Sequence, residues 1–149
     1  MANTKHSNSI LGSFDGRIHT YPVHIFYEDT DFSGVVYHAN YLRFLERARS
    51  SFLNLLGITH ANLWDEQKMA FTIQHISIDY KSPARVDDHL IIHTTYDQLK
   101  GARLLISQSC FRKDTLIVKA DVKAACITAQ GKPARPPKIL SKKLAPYLL

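Results

Sequence analysis

Asn40-Tyr41-Leu42-Arg43-Phe44-Leu45-Glu46-Arg47-Ala48-Arg49-Ser50-Ser51-Phe52-Leu53-Asn54-Leu55-Leu56-Gly57 carries the pattern that decides the fold. Leu42, Leu45, Phe52 and Leu56 recur at helical spacing, joined by Tyr41, Phe44, Ala48 and Leu55, while Arg43, Arg47, Ser50 and Asn54 fall on the other side. Asn40 is placed to cap the start and Gly57 to stop the helix just past its end. The apolar stripe is broad and holds small residues, Ala48 and Ser51. That composition suits a helix pressed into a sheet better than one lying on a surface.

Outward from the helix the periodicity becomes that of strands. Before it, residues 21–28 put Val23, Ile25 and Tyr27 on one face. After it, residues 62–67 fit one further helical turn, and strands are predicted over 70–80, 89–99, 102–111 and 116–128. Ser82-Pro83, Lys100-Gly101 and Lys113-Asp114 supply the reversals, and Gly131 with the following prolines closes the domain. The order is strand, long helix, then four strands on short turns. It predicts an α+β fold, a mostly antiparallel five-stranded sheet wrapped around one central helix. Such a sheet leaves edges and one helix face to be covered, and oligomerisation is the usual cover.

The chain of 149 residues is one domain's length, and at 45% hydrophobic and 21% charged it can build an ordinary core. Residues 1–19, rich in Ser, Asn and Gly, are expected to be a flexible tail and 131–149 a basic one, whose end, 141–149, is expected to dock within the oligomer sooner than on a lipid surface. Cys110 and Cys126 sit in apolar strand-like stretches and are expected to be reduced core residues. His24, His60, His75, His89 and His93 show no spacing that suggests a metal. No leader and no membrane helix are predicted, so the expected location is cytoplasmic. The net charge of +6 favours anionic partners, but the basic residues are not interleaved with aromatics, which argues against nucleic acid.

The densest polar cluster is Tyr27-Glu28-Asp29-Thr30-Asp31, followed by Gly34 and by His38-Ala39-Asn40 at the helix start. The first amides of a helix lack intrahelical partners and carry partial positive charge. A carboxylate facing a carbonyl held by such donors is an arrangement for acyl transfer. Acids before a helix also serve as plain turn caps, and spacing alone does not choose among Glu28, Asp29 and Asp31. Gly34 permits a positive φ or a close approach to a ligand.

The run from Tyr27 to Tyr41, Tyr-Glu-Asp-Thr-Asp-Phe-Ser-Gly-Val-Val-Tyr-His-Ala-Asn-Tyr, closely resembles the signature of the hotdog-fold 4-hydroxybenzoyl-CoA thioesterase family. Within it the resemblance is closest to the Tol–Pal-associated acyl-CoA thioesterases. Leu42 to Gly57 and Tyr80 to Asp88 continue it, over about residues 20–130. The resemblance implies a hotdog fold and hydrolysis of an acyl-CoA to free acid and coenzyme A. It implies that Asp31 is the catalytic carboxylate, as nucleophile or as general base on water. It assigns the carbonyl-polarising amide to His38, whose side chain is a weaker candidate as acid or orienter, and places Tyr27 in the same pocket. The hydroxybenzoyl-specific members differ at Tyr37-His38-Ala39, so a short or medium aliphatic acyl chain is implied instead of a benzoyl group.

Several further expectations follow from the same residues. Neither metal nor redox cofactor is expected, and the site should lie at the interface of a homo-oligomer, a dimer or a tetramer of dimers. Arg85, Lys132, Arg135 and Lys138 are candidates for the coenzyme A phosphates. Glu46 is the rival carboxylate, but Arg43, Arg47 and Arg49 around it predict a structural ion pair. An acyl carrier protein thioesterase and a non-catalytic acyl-CoA-binding module are the competing functions.

Overall fold

The computed structural model describes residues 9–149. The amphipathic stretch forms α1, Asn40–Leu55, against a single sheet. Its strands are β1 Ser13–Asp15, β2 Ile18–His24, β3 Met69–Tyr80, β4 His89–Lys100, β5 Arg103–Arg112 and β6 Thr115–Thr128. They lie in the order β1-β2-β4-β5-β6-β3, every neighbouring pair antiparallel. A short helix α2, His60–Gln67, links α1 to β3, and α3, Lys138–Leu144, follows the last strand.

The sheet has six strands where five are expected, because part of the expected flexible tail is ordered. Ser9–Leu11 is a 3-10 turn, and β1 and β2 form a hairpin with Asp15 opposite Ile18. Gly16 opens the two-residue loop at φ +59, the glycine-first arrangement that such hairpins favour. Phe14 anchors the hairpin, its ring meeting Phe52 at 4.8 Å and Tyr147 at 4.6 Å. Residues 1–8 of the expected tail lie outside the described residues. The first expected strand is also displaced. It starts three residues early and ends at His24, because the Phe26 amide donates to Asp29 Oδ2 at 2.8 Å and turns the chain into a 3-10 turn, Tyr27–Asp29.

Asn40 does not cap α1. Ala39 is the N-cap, with φ −69 and ψ −22, and the Asn40 amide side chain instead donates to the Asp29 carbonyl at 2.9 Å. Gly57 does end the helix. It lies at φ +79, its amide bonds Asn54 O and that of Ile58 bonds Leu53 O, each at 2.9 Å, the double bond of a Schellman motif.

Tyr41, Phe44, Leu45 and Ala48 bury against Val23, Ile25, Leu90, Ile92 and Ile117 at one end of α1, while Phe52 and Leu53 meet Tyr96, Leu104, Ile106 and Val122 at the other. Leu42, expected on the buried stripe, is exposed. Buried Gln108 pins the helix to the sheet, since its Nε2 donates to the Leu45 carbonyl at 2.9 Å and its Oε1 accepts from Arg49 at 3.0 Å. The C-terminal segment docks on its own chain, with Leu140 and Leu144 fully buried in the second cluster, so a partner is not needed to hold it. Cys110 and Cys126 are free and buried, and burial pushes the Cys110 thiol up to about 12. Among the described residues no helix is long and apolar enough to cross a membrane.

His19 gives the fold a pH dependence. It is fully buried, its Nε2 pairs with the Leu11 carbonyl at 2.7 Å, and its Nδ1 has no partner among the described residues. Desolvation depresses its pKa below 6.5, opposed by the Leu11 bond. The unfolded chain therefore takes up a proton before the folded one does. The contribution is intact above pH 6.5 and falls away as the pH drops below it. Urea midpoints should decline between pH 7.5 and 5.5, and more steeply than in His19→Gln. Parallel slopes for the two proteins would assign the decline to other groups.

Candidate active site

The acidic turn separates its own carboxylates by role. One carboxylate oxygen of Asp29 and its carbonyl are spent on structure. Its Oδ2 holds the Phe26 amide, and its carbonyl accepts from the Tyr37 amide at 3.0 Å and from the Asn40 side chain. Glu28 is exposed and makes no side-chain hydrogen bond among the described residues. Asp31 sits at the apex of a tight loop in which its amide bonds Val35 O at 2.9 Å and its carbonyl accepts from Gly34 N at 3.0 Å. Gly34 takes φ +85, and no heavy atom lies within 4 Å of the position a Cβ would take, so the turn and not a crowded ligand requires glycine.

Asp31 Oδ1 accepts both the Ser33 amide at 2.8 Å and the Ser33 hydroxyl at 2.6 Å. Oδ2 has no protein partner among the described residues, which leaves one anionic oxygen available. The Ser33 hydroxyl is the main reason the carboxyl lies below its ordinary value of 3.8. Desolvation opposes it, while the Ser33 and Val35 main chain and the charge of nearby His38 add to it. Ser33 could have been found from the sequence, because Asp-x-Ser-Gly is an Asx-turn pattern.

The α1 opening stands on the other side of this loop. Asn40 N bonds Tyr37 O at 2.9 Å, closing a turn with His38 and Ala39 at its centre. The amides of His38 and Ala39 find no acceptor among the described residues. The His38 carbonyl is fixed by the Tyr80 hydroxyl, which donates at 3.0 Å, and the His38 ring packs on Tyr37 at 4.6 Å. His38 lines a shallow cleft of about 280 Å³ with Val35, Val36, Tyr41, Tyr80 and Lys81. Tyr80, at the far end of β3, carries no local signal that ties it to residue 38. Asp31 borders this region but does not line the cleft, and Tyr27 is 86% exposed. Phe26, Tyr27, Phe32 and Tyr37 all stand exposed around it.

A family model for the thioesterase-like superfamily matches residues 27–144, which takes in the acidic turn, α1 and all four following strands. The chain belongs to the thioesterase-like superfamily. It is 44% identical over 108 residues to an acyl-CoA thioesterase YbgC of Haemophilus influenzae, covering 72% of this chain and 79% of that one. Among solved structures it resembles a probable thioesterase from Bartonella henselae, with TM-score 0.78, 39% identity, and coverage of 80% of this chain and 99% of the other. It also resembles a 1,4-dihydroxy-2-naphthoyl-CoA thioesterase from Synechocystis, with TM-score 0.80, 25% identity, and coverage of 86% and 96%. The expected hotdog fold agrees with these neighbours.

In this thioesterase-like chain the remaining candidates divide. Arg85 lies beside the acidic loop, since its main chain bridges Val35, and its side chain is exposed. Lys132, Arg135 and Lys138 are exposed but follow Thr128, which pairs with Met69, whereas Tyr80 at the other end of β3 touches His38. About 36 Å of strand separates them from the site of their own chain. Glu46 forms none of the expected ion pairs among the described residues. Its Oε1 accepts instead from Ser50 Oγ at 2.6 Å, and Ser50 meets His60 Nε2 at 2.8 Å. Arg49 turns inward to Gln108, and Arg47 lies over the Phe44 ring at 5.9 Å. Glu46, Arg49 and Ile73 border both an open groove beside Leu42, Arg43 and Ile76 and a deeper cavity of about 130 Å³ lined by Ser50, His60, Phe71 and Tyr96.

Proposed function

We propose that the chain hydrolyses aliphatic acyl-CoA thioesters to free acid and coenzyme A, with Asp31 supplying the carboxylate and the His38 amide binding the carbonyl oxygen. One observation carries this assignment. Asp31, whose Oδ2 has no partner among the described residues, lies close enough to His38 to feel its charge, and His38 opens a helix whose first amides have no acceptor among the described residues. Ionised Asp31 either attacks the thioester carbonyl, giving a mixed anhydride that water then hydrolyses, or takes a proton from the attacking water; in each route the His38 N–H holds the developing oxyanion and coenzyme A leaves as its thiolate. Water, carboxylate and amide complete this reaction without metal or redox cofactor, in the cytoplasm. The similarity to a YbgC acyl-CoA thioesterase supports the substrate class. The groove from Leu42 to Ile73, ending in the deeper cavity, offers an apolar path for a short or medium chain. The test is free-thiol release across acyl-CoAs of increasing length. No release from any of them would leave only a binding module.

The active form is a homodimer or a larger assembly built on it. β3 is a twelve-residue edge strand, and its outer rim has no partner among the described residues. Two β3 edges paired antiparallel about a two-fold axis would bring the partner's Met69 end towards this chain's Tyr80. The partner's basic tail would then approach this chain's Asp31 and Arg85, which gives Lys132, Arg135 and Lys138 a role at the coenzyme A phosphates that they cannot fill in their own chain. Ile73, 45% exposed on this edge beside Glu46, is the place to test it. Ile73→Glu is expected to sediment as a folded monomer and to lose activity. A variant that still sediments as a dimer would place the interface elsewhere.

A further inference from the structure

Away from the acidic turn, β2 and β4 bring together two histidines that lie 65 positions apart in the sequence. His24 and His89 are directly opposite in the register. Their Nδ1 atoms are 3.3 Å apart and their ring centroids 4.6 Å apart. His89 is exposed and His24 half-buried, and neither ring makes another hydrogen bond among the described residues. The separation is long for a hydrogen bond, whose donor–acceptor distance centres near 2.9–3.0 Å. It does match another arrangement. An ion held tetrahedrally at about 2.0–2.1 Å from two imidazole nitrogens sets those nitrogens about 3.3–3.4 Å apart. A right-angled octahedral pair at the same bond length would need about 2.9–3.0 Å.

We propose that His24 and His89 form a binding site for one zinc-class divalent cation, with water in the remaining positions. Imidazole nitrogen selects zinc and its neighbours over magnesium or calcium, which take oxygen ligands. No group of three or more His, Cys, Asp or Glu converges on a common point among the described residues. Two neighbouring carboxylates are committed elsewhere. Asp88 Oδ2 holds the Arg85 amide at 2.8 Å and the Arg112 guanidinium at 3.0 Å, and Asp29 Oδ2 holds Phe26. The site therefore offers two protein ligands and open coordination positions, which is a reversible site and not a structural one. Ligation through both Nδ1 atoms requires each imidazole to carry its proton on Nε2, so the ring that holds a proton on Nδ1 shifts to the other tautomer and both ligands stay neutral.

The position gives the ion something to do. Immediately beyond the pair, Ile25 N bonds Asp88 O at 2.9 Å and Asp87 N bonds Ile25 O at 2.8 Å, and the chain then turns into Tyr27–Asp29. A cation at His24 and His89 clamps the end of the sheet from which the acidic turn departs. The test is calorimetric titration of Zn²⁺ into the full chain in a non-coordinating buffer, with Co²⁺ as a spectroscopic stand-in. One saturable ion per chain is expected, with the intense visible bands of tetrahedral Co²⁺. His24→Ala and His89→Ala should each lose both signals while His75→Ala keeps them, with near-ultraviolet circular dichroism unchanged in all three. The proposal is overturned if the wild-type chain shows no saturable heat, or if binding survives unchanged in His24→Ala and His89→Ala. Neither readout depends on thioester hydrolysis.

Discussion

Asp31→Asn should lower kcat on the best acyl-CoA by about 10²–10⁴-fold, the range spanned by a positioned acid–base side chain. The substitution is close to isosteric. An asparagine keeps an Oδ1 that can accept both Ser33 donors, so the loop closed by Asp31 N to Val35 O and Gly34 N to Asp31 O should stand. What disappears is the charge and the second, unengaged oxygen. Thermal stability and sedimentation should therefore match the parent, and the loss should appear in kcat. Glu28→Gln is the paired control, since Glu28 is exposed and its side chain makes no hydrogen bond among the described residues. If Asp31→Asn turns over like the parent, the carboxylate has no part in the chemistry. The direction of the Asp31 shift adds a second check. A carboxyl held below 3.8 by the Ser33 hydroxyl stays ionised through the neutral range. Asp31 should then contribute no acid limb to the rate between about pH 5 and 8, where an unshifted histidine titrates.

The fold was legible where period and punctuation agreed. The expected strands at 70–80, 89–99, 102–111 and 116–128 fall within a residue of β3 to β6, because alternation and the Lys-Gly and Lys-Asp reversals mark the same boundaries. Gly57 was legible as a stop because a left-handed residue is needed there. The N-terminal hairpin was not, since Ser13-Phe14-Asp15 is three residues long and owes its order to Phe14 reaching Phe52 and Tyr147 across the chain. Local pattern carries no information about a contact 133 residues away. The same limit hid the buried tail, Tyr80 on the His38 carbonyl, and the His24–His89 pair. The expected Glu46 ion pairs fail for a related reason. Helical spacing offers Arg43 and Arg49 as neighbours, but Gln108 on β5 draws Arg49 inward and Ser50 satisfies the carboxylate. The choice of Asp31 over Asp29 came from resemblance. Each of the two carboxylates has one oxygen engaged and one without a partner among the described residues, so a free oxygen does not by itself choose between them.

His38→Pro is expected to cost about 10²–10³ in kcat, or roughly 2.7–4 kcal/mol, the effect of deleting one oxyanion donor. Side-chain substitution cannot make this test, because the donor is the main-chain N–H. Proline removes that hydrogen together with the imidazole. No acceptor within the described chain uses the His38 amide, so no native hydrogen bond is broken. His38 is the second residue of the turn closed by Asn40 N to Tyr37 O, and Ala39 after it lies at φ −69 and ψ −22, as a type I turn requires. Proline is favoured at the second position of such a turn, where its fixed φ near −65 matches the need. His38→Ala separates the two parts of the residue, since it deletes the imidazole and keeps the amide. The loss in His38→Pro should exceed that in His38→Ala by the donor's share, with KM moving little, because the oxyanion exists only in the transition state. Equal kcat in the two variants, both folded by circular dichroism, would take the carbonyl away from the helix opening and leave the imidazole as the only contribution of residue 38.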